Sequence, residues 1–285
     1  NSPLSPISQS KYLNTRFYSA LQPFLDKGYD VEFVTGGRLN WRNLDQFFPR
    51  QGFNKLEGGS DIKKYVPDAI EEHEWGVYDE FLMKRIIQKL HEKRKKPLFI
   101  FAITITNHTP YKTPKNYSPY PIKFNEQNKK LFKSFDKKTI NILTSHQYTC
   151  NCIGNLINEV SNSALSENTI IVATGDHSSH EIRNHFGFTD KNLMDKNGVP
   201  LIFYIPNNYK KDIFVDTSRF GSHKDIFPTL YNLALSNAEY YCVGNDLFSK
   251  NNKQDFFGIF EYNIAINKSG CVILDNSNPI FMEWK

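Results

Sequence analysis

The sequence predicts a doubly wound α/β fold on a mostly parallel sheet, and three observations predict it. Four short runs are apolar and β-branched almost throughout: 30–35 (DVEFVT), 97–106 (PLFIFAITIT), 169–174 (TIIVAT) and 200–205 (PLIFYI). Runs that stay apolar without alternating suit strands covered on both faces, as parallel strands are. Segments with helical spacing lie between them, and strand alternating with helix argues for βαβ units. No internal repeat and no Pro/Gly-rich linker interrupts the chain, so residues 1–285 are expected to form a single domain.

Taken in order, residues 17–26 read as a helix that stops at Lys27-Gly28, with Pro23 an awkward interior residue. The strand 30–35 follows. Residues 78–95 place Phe81, Leu82, Ile86, Ile87 and Leu90 at helical spacing. The strand 97–106 comes next, then a long helix over 138–163 with Ile153, Leu156, Ile157 and Val160 on one face. The strands 169–174 and 200–205 follow, then a helix over 225–235. From 256 to 285 the character changes to IFEYNIAI, a turn at Asn267-Lys268-Ser269-Gly270, and CVILD, which reads as a C-terminal hairpin extension of the same domain.

Composition excludes several functions. Hydrophobic residues at 39% and aromatics at 14% support a packed core, and a net charge of +5 is modest for 285 residues. The basic run at Lys93, Arg94, Lys95 and Lys96 reads as a solvated helix end. Without a basic face interleaved with aromatics, no nucleic-acid partner is expected. No apolar run nears the roughly 20 residues needed to span a bilayer, and Asn1-Ser2-Pro3-Leu4 does not open a signal peptide. The four cysteines lack zinc-site spacing. Cys150 and Cys152 are too close for a routine bridge, whereas Cys242 and Cys271 read either as a pair or as unpaired buried thiols.

The chemistry-bearing residues gather at element ends. Thr174-Gly175-Asp176-His177 closes the strand TIIVAT, and ligands of open α/β sheets bind beyond the carboxyl ends of strands. An acid and an imidazole there suit a divalent cation. The plainer alternative is an Asp capping the next helix beside a surface His. His180, Glu181, Asn184 and His185 follow as a polar cluster. PLFIFAITIT runs into Asn107-His108-Thr109-Pro110-Tyr111, and Ser222-His223-Lys224-Asp225 opens a helix, whose N-terminus attracts anions.

Together GDH after one strand, TITNHTPY after another and SHKDIFPTLYNLA on a helix resemble the lipoteichoic-acid-synthase-like branch of the sulfatase/alkaline-phosphatase superfamily. Gly28-Tyr29-Asp30 before FVTGG, Trp41-Arg42-Asn43, Gln51-Gly52-Phe53, Trp75-Gly76-Val77-Tyr78-Asp79-Glu80 and GNDLF fall in the same order, so the likeness runs from about residue 10 to 248. The resemblance implies an alkaline-phosphatase-like fold and an enzyme of phosphotransferase or hydrolase type. Asp176 and His177 resemble metal ligands for one divalent ion (Mn, Zn or Mg). His108 resembles the catalytic histidine that contacts the substrate phosphate and shuttles a proton. Trp41 and Arg42 resemble a pair that grips a phosphoglycerol group, though the family's synthases space these two one residue apart. For Trp41, packing against Phe47 and Phe53 is the alternative. His185 and His223 are further candidates for substrate contact, and Asp225 reads as a helix N-terminal acid.

The implied chemistry is transfer of a phosphoglycerol-type group from a phospholipid-derived phosphodiester to a cell-envelope glycan through a covalent phospho-threonine. The family's threonine nucleophile and an acidic metal ligand match nothing in this sequence and would precede Asn1. This leads to the expectation that residues 1–285 alone are inactive. The same resemblance implies an extracytoplasmic catalytic domain, periplasmic or on the outer face, tethered to the membrane by an N-terminal region outside the chain. A phosphoethanolamine transferase or a sulfatase of the superfamily is the alternative enzyme, and an inactive binding relative the alternative non-enzyme.

Overall fold

The computed structural model describes residues 7–70, 72–123, 136–182, 193–250, 256–260, 263–274 and 278–284. The chain divides into two compact units, Asn1–Tyr204 and Ile205–Lys285.

In the first unit, helix α1 (Gln22–Asp26) is shorter than 17–26, because Pro23 stands in its first turn. A proline lacks only an N–H that the first turn leaves unpaired, so it starts this helix instead of breaking it. Gly28 at φ +78° ends it. Strand β1 (Asp30–Thr35) is the centre of a parallel sheet, flanked by β2 (Lys55–Glu57) and β5 (Leu98–Ile103) in the order β2-β1-β5. Between them lie α2 (Leu44–Arg50), α3 (Gly59–Tyr65), the two-residue ribbon β3 (Glu72–His73) and β4 (Gly76–Val77), and α4 (Asp79–His91). In register, Asp30 faces Leu98 and Thr35 faces Ile103, so β1 and β5 deliver their following loops to the same carboxyl edge.

Alternate side chains go to opposite faces, as the period of a strand requires. On one face Phe33 meets Phe48 of α2, Phe53 and Phe101, while Phe24 of α1 meets Phe99. On the other, Val34 and Ile100 pack with Ile62 of α3, Leu82 and Ile86 of α4, and Tyr148, Leu156 and Val160 of the long helix α5 (Lys137–Ser161). Full burial of one such aliphatic side chain stabilises by roughly 1.5–3 kcal/mol. Helices therefore cover both faces, as a doubly wound sheet requires. Glu57 is buried on the α4 side, where Arg85 binds it through two nitrogens at 2.7 and 2.9 Å and Lys89 at 2.8 Å. Burial alone would raise the Glu57 carboxyl, but its hydrogen bonds from Arg85, Lys55 and Lys89 hold it well below the usual carboxylate range.

The last two apolar runs depart from the expected parallel arrangement. β6 (Ile171–Thr174) and β7 (Leu201–Tyr204), separated by α6 (Leu193–Asn197), pair antiparallel, Ile171 with Tyr204 and Thr174 with Leu201. Among the described residues this pair forms its own two-stranded ladder. A continuous apolar run reports burial and is silent about direction. Ile171 and Tyr204 still pack against the helix layer that covers Ile100.

In the second unit, α7 (Ile226–Ala234) precedes β8 (Gly258–Phe260), β9 (Ile264–Ile266), β10 (Gly270–Leu274) and β11 (Pro279–Glu283). These four strands form one antiparallel meander in chain order, so the expected hairpin is its middle. Asn267 shapes the β9–β10 turn by accepting the N–H groups of Ser269 and Gly270 through Oδ1. All four cysteines are free, with Cys242 exposed and Cys271 buried.

Candidate functional site

The loop after β5 is held from below by a carboxylate. Asp79, the first residue of α4, is fully buried. Its Oδ1 accepts the Ile105 N–H at 2.8 Å and the Thr106 N–H at 3.3 Å, while Oδ2 accepts the Thr149 hydroxyl at 2.9 Å. In return, the Asp79 N–H donates to Thr106 Oγ1 at 3.2 Å. Burial pushes this carboxyl above its ordinary range, against the opposing hydrogen bonds from Ile105, Thr149 and Thr106. The cost of desolvating the group is offset by backbone and hydroxyl donors that define the path of residues 105 and 106.

Two residues on, His108 is exposed. Its Nδ1 lies 3.2 Å from the Thr109 carbonyl oxygen, and the same oxygen accepts the Trp75 indole N–H at 2.7 Å. The two rings meet edge to face with centroids 4.7 Å apart. With Nδ1–H donated to that carbonyl, Nε2 carries the lone pair. Beneath them, His73 is buried and takes the Trp75 backbone N–H on Nδ1 at 3.3 Å. Burial first, then Lys112 and His108, push the His73 imidazole below its ordinary value, with Glu74 opposing. A neutral ring is the form that can accept at Nδ1.

The loop after β6 carries Asp176 and His177. Asp176 Oδ2 lies 3.6 Å from His177 Nε2, and the two side chains are 89% and 54% exposed. Two donors each about 2.1 Å from one tetrahedral ion lie about 3.4 Å apart, so these atoms are placed to share a cation after a small shift. His177 Nδ1 is 2.8 Å from the Ser178 carbonyl oxygen. Donation there fixes the tautomer and leaves Nε2 for a metal, an arrangement typical of ligating histidines. His180 brings its ring to 4.6 Å from that of His177. Among the described residues no group of three or more His, Cys, Asp or Glu is placed to hold a metal.

The two loops touch. The Tyr111 hydroxyl is hydrogen-bonded to Ser179, and burial, then the nearby Glu181, raise that phenol. Lys138 at the start of α5 pairs with Glu181 at 2.8 Å. These contacts put the His108 loop beside the Asp176-His177 loop at one end of the sheet.

Trp41 and Arg42 stand on the loop after β1, whose carboxyl end adjoins that of β5. The Arg42 guanidinium lies over the Trp41 ring at 4.5 Å, and Trp41 is 44% exposed. Arg42 and Asn43 both adopt positive φ, +50° and +57°, a backbone that non-glycine residues hold only under constraint. His185 lies outside the described residues. His223 is an exposed residue of the second unit. Asp225 is buried at the start of α7, accepting the Ser222 N–H at 2.8 Å and the Asn245 N–H at 2.7 Å, a capping role. Reading the sequence assigned no role to His73, Trp75, Asp79 or Tyr111. The only signal was that Trp75, Asp79 and Tyr111 fall inside the resembling motifs.

This α/β fold, a parallel sheet covered by helices on both faces, is also that of a protein in the alkaline phosphatase superfamily from Vibrio parahaemolyticus, with a TM-score of 0.73 at 20% identity over 100% of this chain and 65% of that one. The chain belongs to the Sulfatase family, whose description matches residues 13–236. It is similar to lipoteichoic acid synthase 1 of Bacillus subtilis (strain 168), 26% identical over 246 residues, which is 82% of this chain and 36% of that protein. It is also similar to phosphoglycerol transferase I of Citrobacter koseri, 25% identical over 178 residues, covering 61% of this chain and 21% of the relative. The chain thus spans about a third of the first relative's length and about a fifth of the second's. Among solved structures, the lipoteichoic acid synthase LtaP from Listeria monocytogenes has the same fold, with a TM-score of 0.73 at 17% identity over 97% of this chain and 67% of that one.

Proposed function

We propose that this chain is the catalytic region of a metal-dependent transferase that moves a phosphoglycerol-type group from a phospholipid-derived phosphodiester to a cell-envelope glycan. The observation that carries the reading is the 3.6 Å approach of Asp176 Oδ2 to His177 Nε2, with His177 Nδ1 tied to a backbone carbonyl. Similarity to a lipoteichoic acid synthase and a phosphoglycerol transferase supports the substrate class. Asp176 and His177 would hold one divalent cation, which supplies charge neutralisation at phosphorus and a lowered hydroxyl pKa. His108 places an imidazole nitrogen at the same edge, able to donate a proton to a phosphate oxygen or leaving group and to take one from an entering hydroxyl. Arg42 presents a guanidinium suited to two phosphate oxygens, with the Trp41 ring as an apolar wall for the glycerol carbons. His185 is a further candidate for substrate contact. The attacking group in this reading is a threonine hydroxyl that becomes phosphorylated.

Such a donor and acceptor put the reaction outside the cytoplasm, at the periplasmic or outer face of the membrane. Among the described residues no helix is long and apolar enough to cross a bilayer. The test is calorimetric titration of the chain with manganese, zinc and magnesium in turn. Asp176→Ala and His177→Ala should each weaken binding of the preferred ion at least about tenfold. Undiminished affinity in both variants would remove the metal site from this position.

A further inference from the structure

We infer that residues 75–79 form the positioning element of His108, holding its loop from both sides; the catalytic meaning of this rests on the reading of His108 given above. Asp79 grips the chain two and three residues before the histidine, at the Thr106 and Ile105 N–H groups. Trp75 grips it one residue after, at the Thr109 carbonyl oxygen, and lays its ring edge to face with the imidazole. Trp75 is in turn fixed by its own backbone N–H on His73 Nδ1. Five residues thus bracket a loop whose functional side chain stands in solvent.

Two features argue that this bracket serves the site beyond helping the fold. The Trp75 indole is 38% exposed, so its hydrogen bond is spent on a surface loop instead of on the core. Asp79 is a fully buried carboxyl at the first position of α4 that makes no cap of that helix, and its acceptors go instead to residues 105, 106 and 149. The same segment also seats the loop that leads to Trp41. Gly76 has φ +148°, and a Cβ there would meet the Gly36 carbonyl oxygen at 2.0 Å. The Val77 N–H donates to that same oxygen at 3.0 Å. The element that fixes His108 is therefore packed directly on the Gly36-Gly37 turn. A misplacement of about 1 Å at a reacting group lowers turnover on the order of a hundredfold, which is what such bracing prevents.

The experiment follows the His108 ring by NMR in the isotopically labelled chain, unmodified and carrying Trp75→Phe or Asp79→Asn. Ring relaxation and the response to added inorganic phosphate and glycerol phosphate are recorded together with the thermal midpoint. Trp75→Phe keeps an aromatic side chain at the position and removes the indole N–H together with the second ring. It should leave the midpoint nearly unchanged, loosen the His108 ring and weaken its phosphate response about tenfold. Asp79→Asn, which keeps one acceptor, should loosen the ring in the same way at some loss of stability. An ordered His108 ring in Trp75→Phe, with an unaltered phosphate response, would overturn the inference, and that variant decides even if Asp79→Asn fails to fold. Should the ring loosen as expected while phosphate leaves His108 undisturbed in the unmodified chain, the catalytic half of the inference falls together with the functional reading.

Discussion

The loops after β5 and β6 carry the same kind of side chain on opposite kinds of support. Both histidines turn Nδ1 to a neighbouring carbonyl, His108 at 3.2 Å and His177 at 2.8 Å. The His108 loop, however, descends into a buried carboxylate at Asp79, whereas Asp176 is 89% exposed and its Oδ1 takes up the adjacent His177 N–H at 2.9 Å. Longer-range ties of the second loop run from the Ser178 hydroxyl to the Lys196 carbonyl oxygen at 2.5 Å, from Ser179 to the Tyr111 hydroxyl and from Glu181 to Lys138 at 2.8 Å. Under the proposed function Asp176 and His177 would gain their final order from the cation they hold, so their own scaffold can be light. His108, proposed to meet substrate oxygens, would have no such ion to arrange it, and the protein would have to supply its order in advance.

Breaking the heavier support should have the largest effect. Asp79→Ala leaves the Ile105 and Thr106 N–H groups and the Thr149 hydroxyl without their acceptor, and each buried orphan costs about 1–3 kcal/mol. A loss of roughly 2–5 kcal/mol in chemical denaturation is expected; a change under about 1 kcal/mol would mean that the loop is held by something else. A smaller effect should come from pH. The folded His73 imidazole titrates below its ordinary 6.5, so the folded and unfolded chains are both neutral there at pH 8. Below about pH 6.5 the unfolded chain takes up a proton that the folded chain refuses, and stability falls by at most about 1.4 kcal/mol per pH unit until the folded value is reached. His73→Asn should flatten that part of the stability profile, and an unchanged slope would show that His73 is not its source. The smallest effect belongs to the lighter loop. In chelator-treated protein, Asp176→Ala should change stability by no more than about 0.5 kcal/mol, because the side chain is exposed and its contacts are local. A large loss would make Asp176 a structural cap and end the contrast between the two loops.

Much of this was legible in the amino-acid order. The runs DVEFVT and LFIFAI are strands, Gly28 ends a helix, and Asn267 announces a turn, because each depends on side chains close in sequence. Asp176, His177 and His108 stood out for the same local reason, as polar residues directly after apolar strands. The direction of β7 and the support beneath His108 were not legible. An apolar run buries equally well in either direction, so only pairing with Ile171–Thr174 oriented Leu201–Tyr204. Asp79 reads in sequence as an ordinary acid at a helix start. Only burial against Thr149, 70 residues away, and contact with a loop 26 residues away turned it into the anchor of a site. Local order determines which segments can be strands, helices and ligands, since those preferences act over a few residues. Which carboxylate loses its water, and which loop it then holds, depends on groups distant in sequence, and packing alone brings them together.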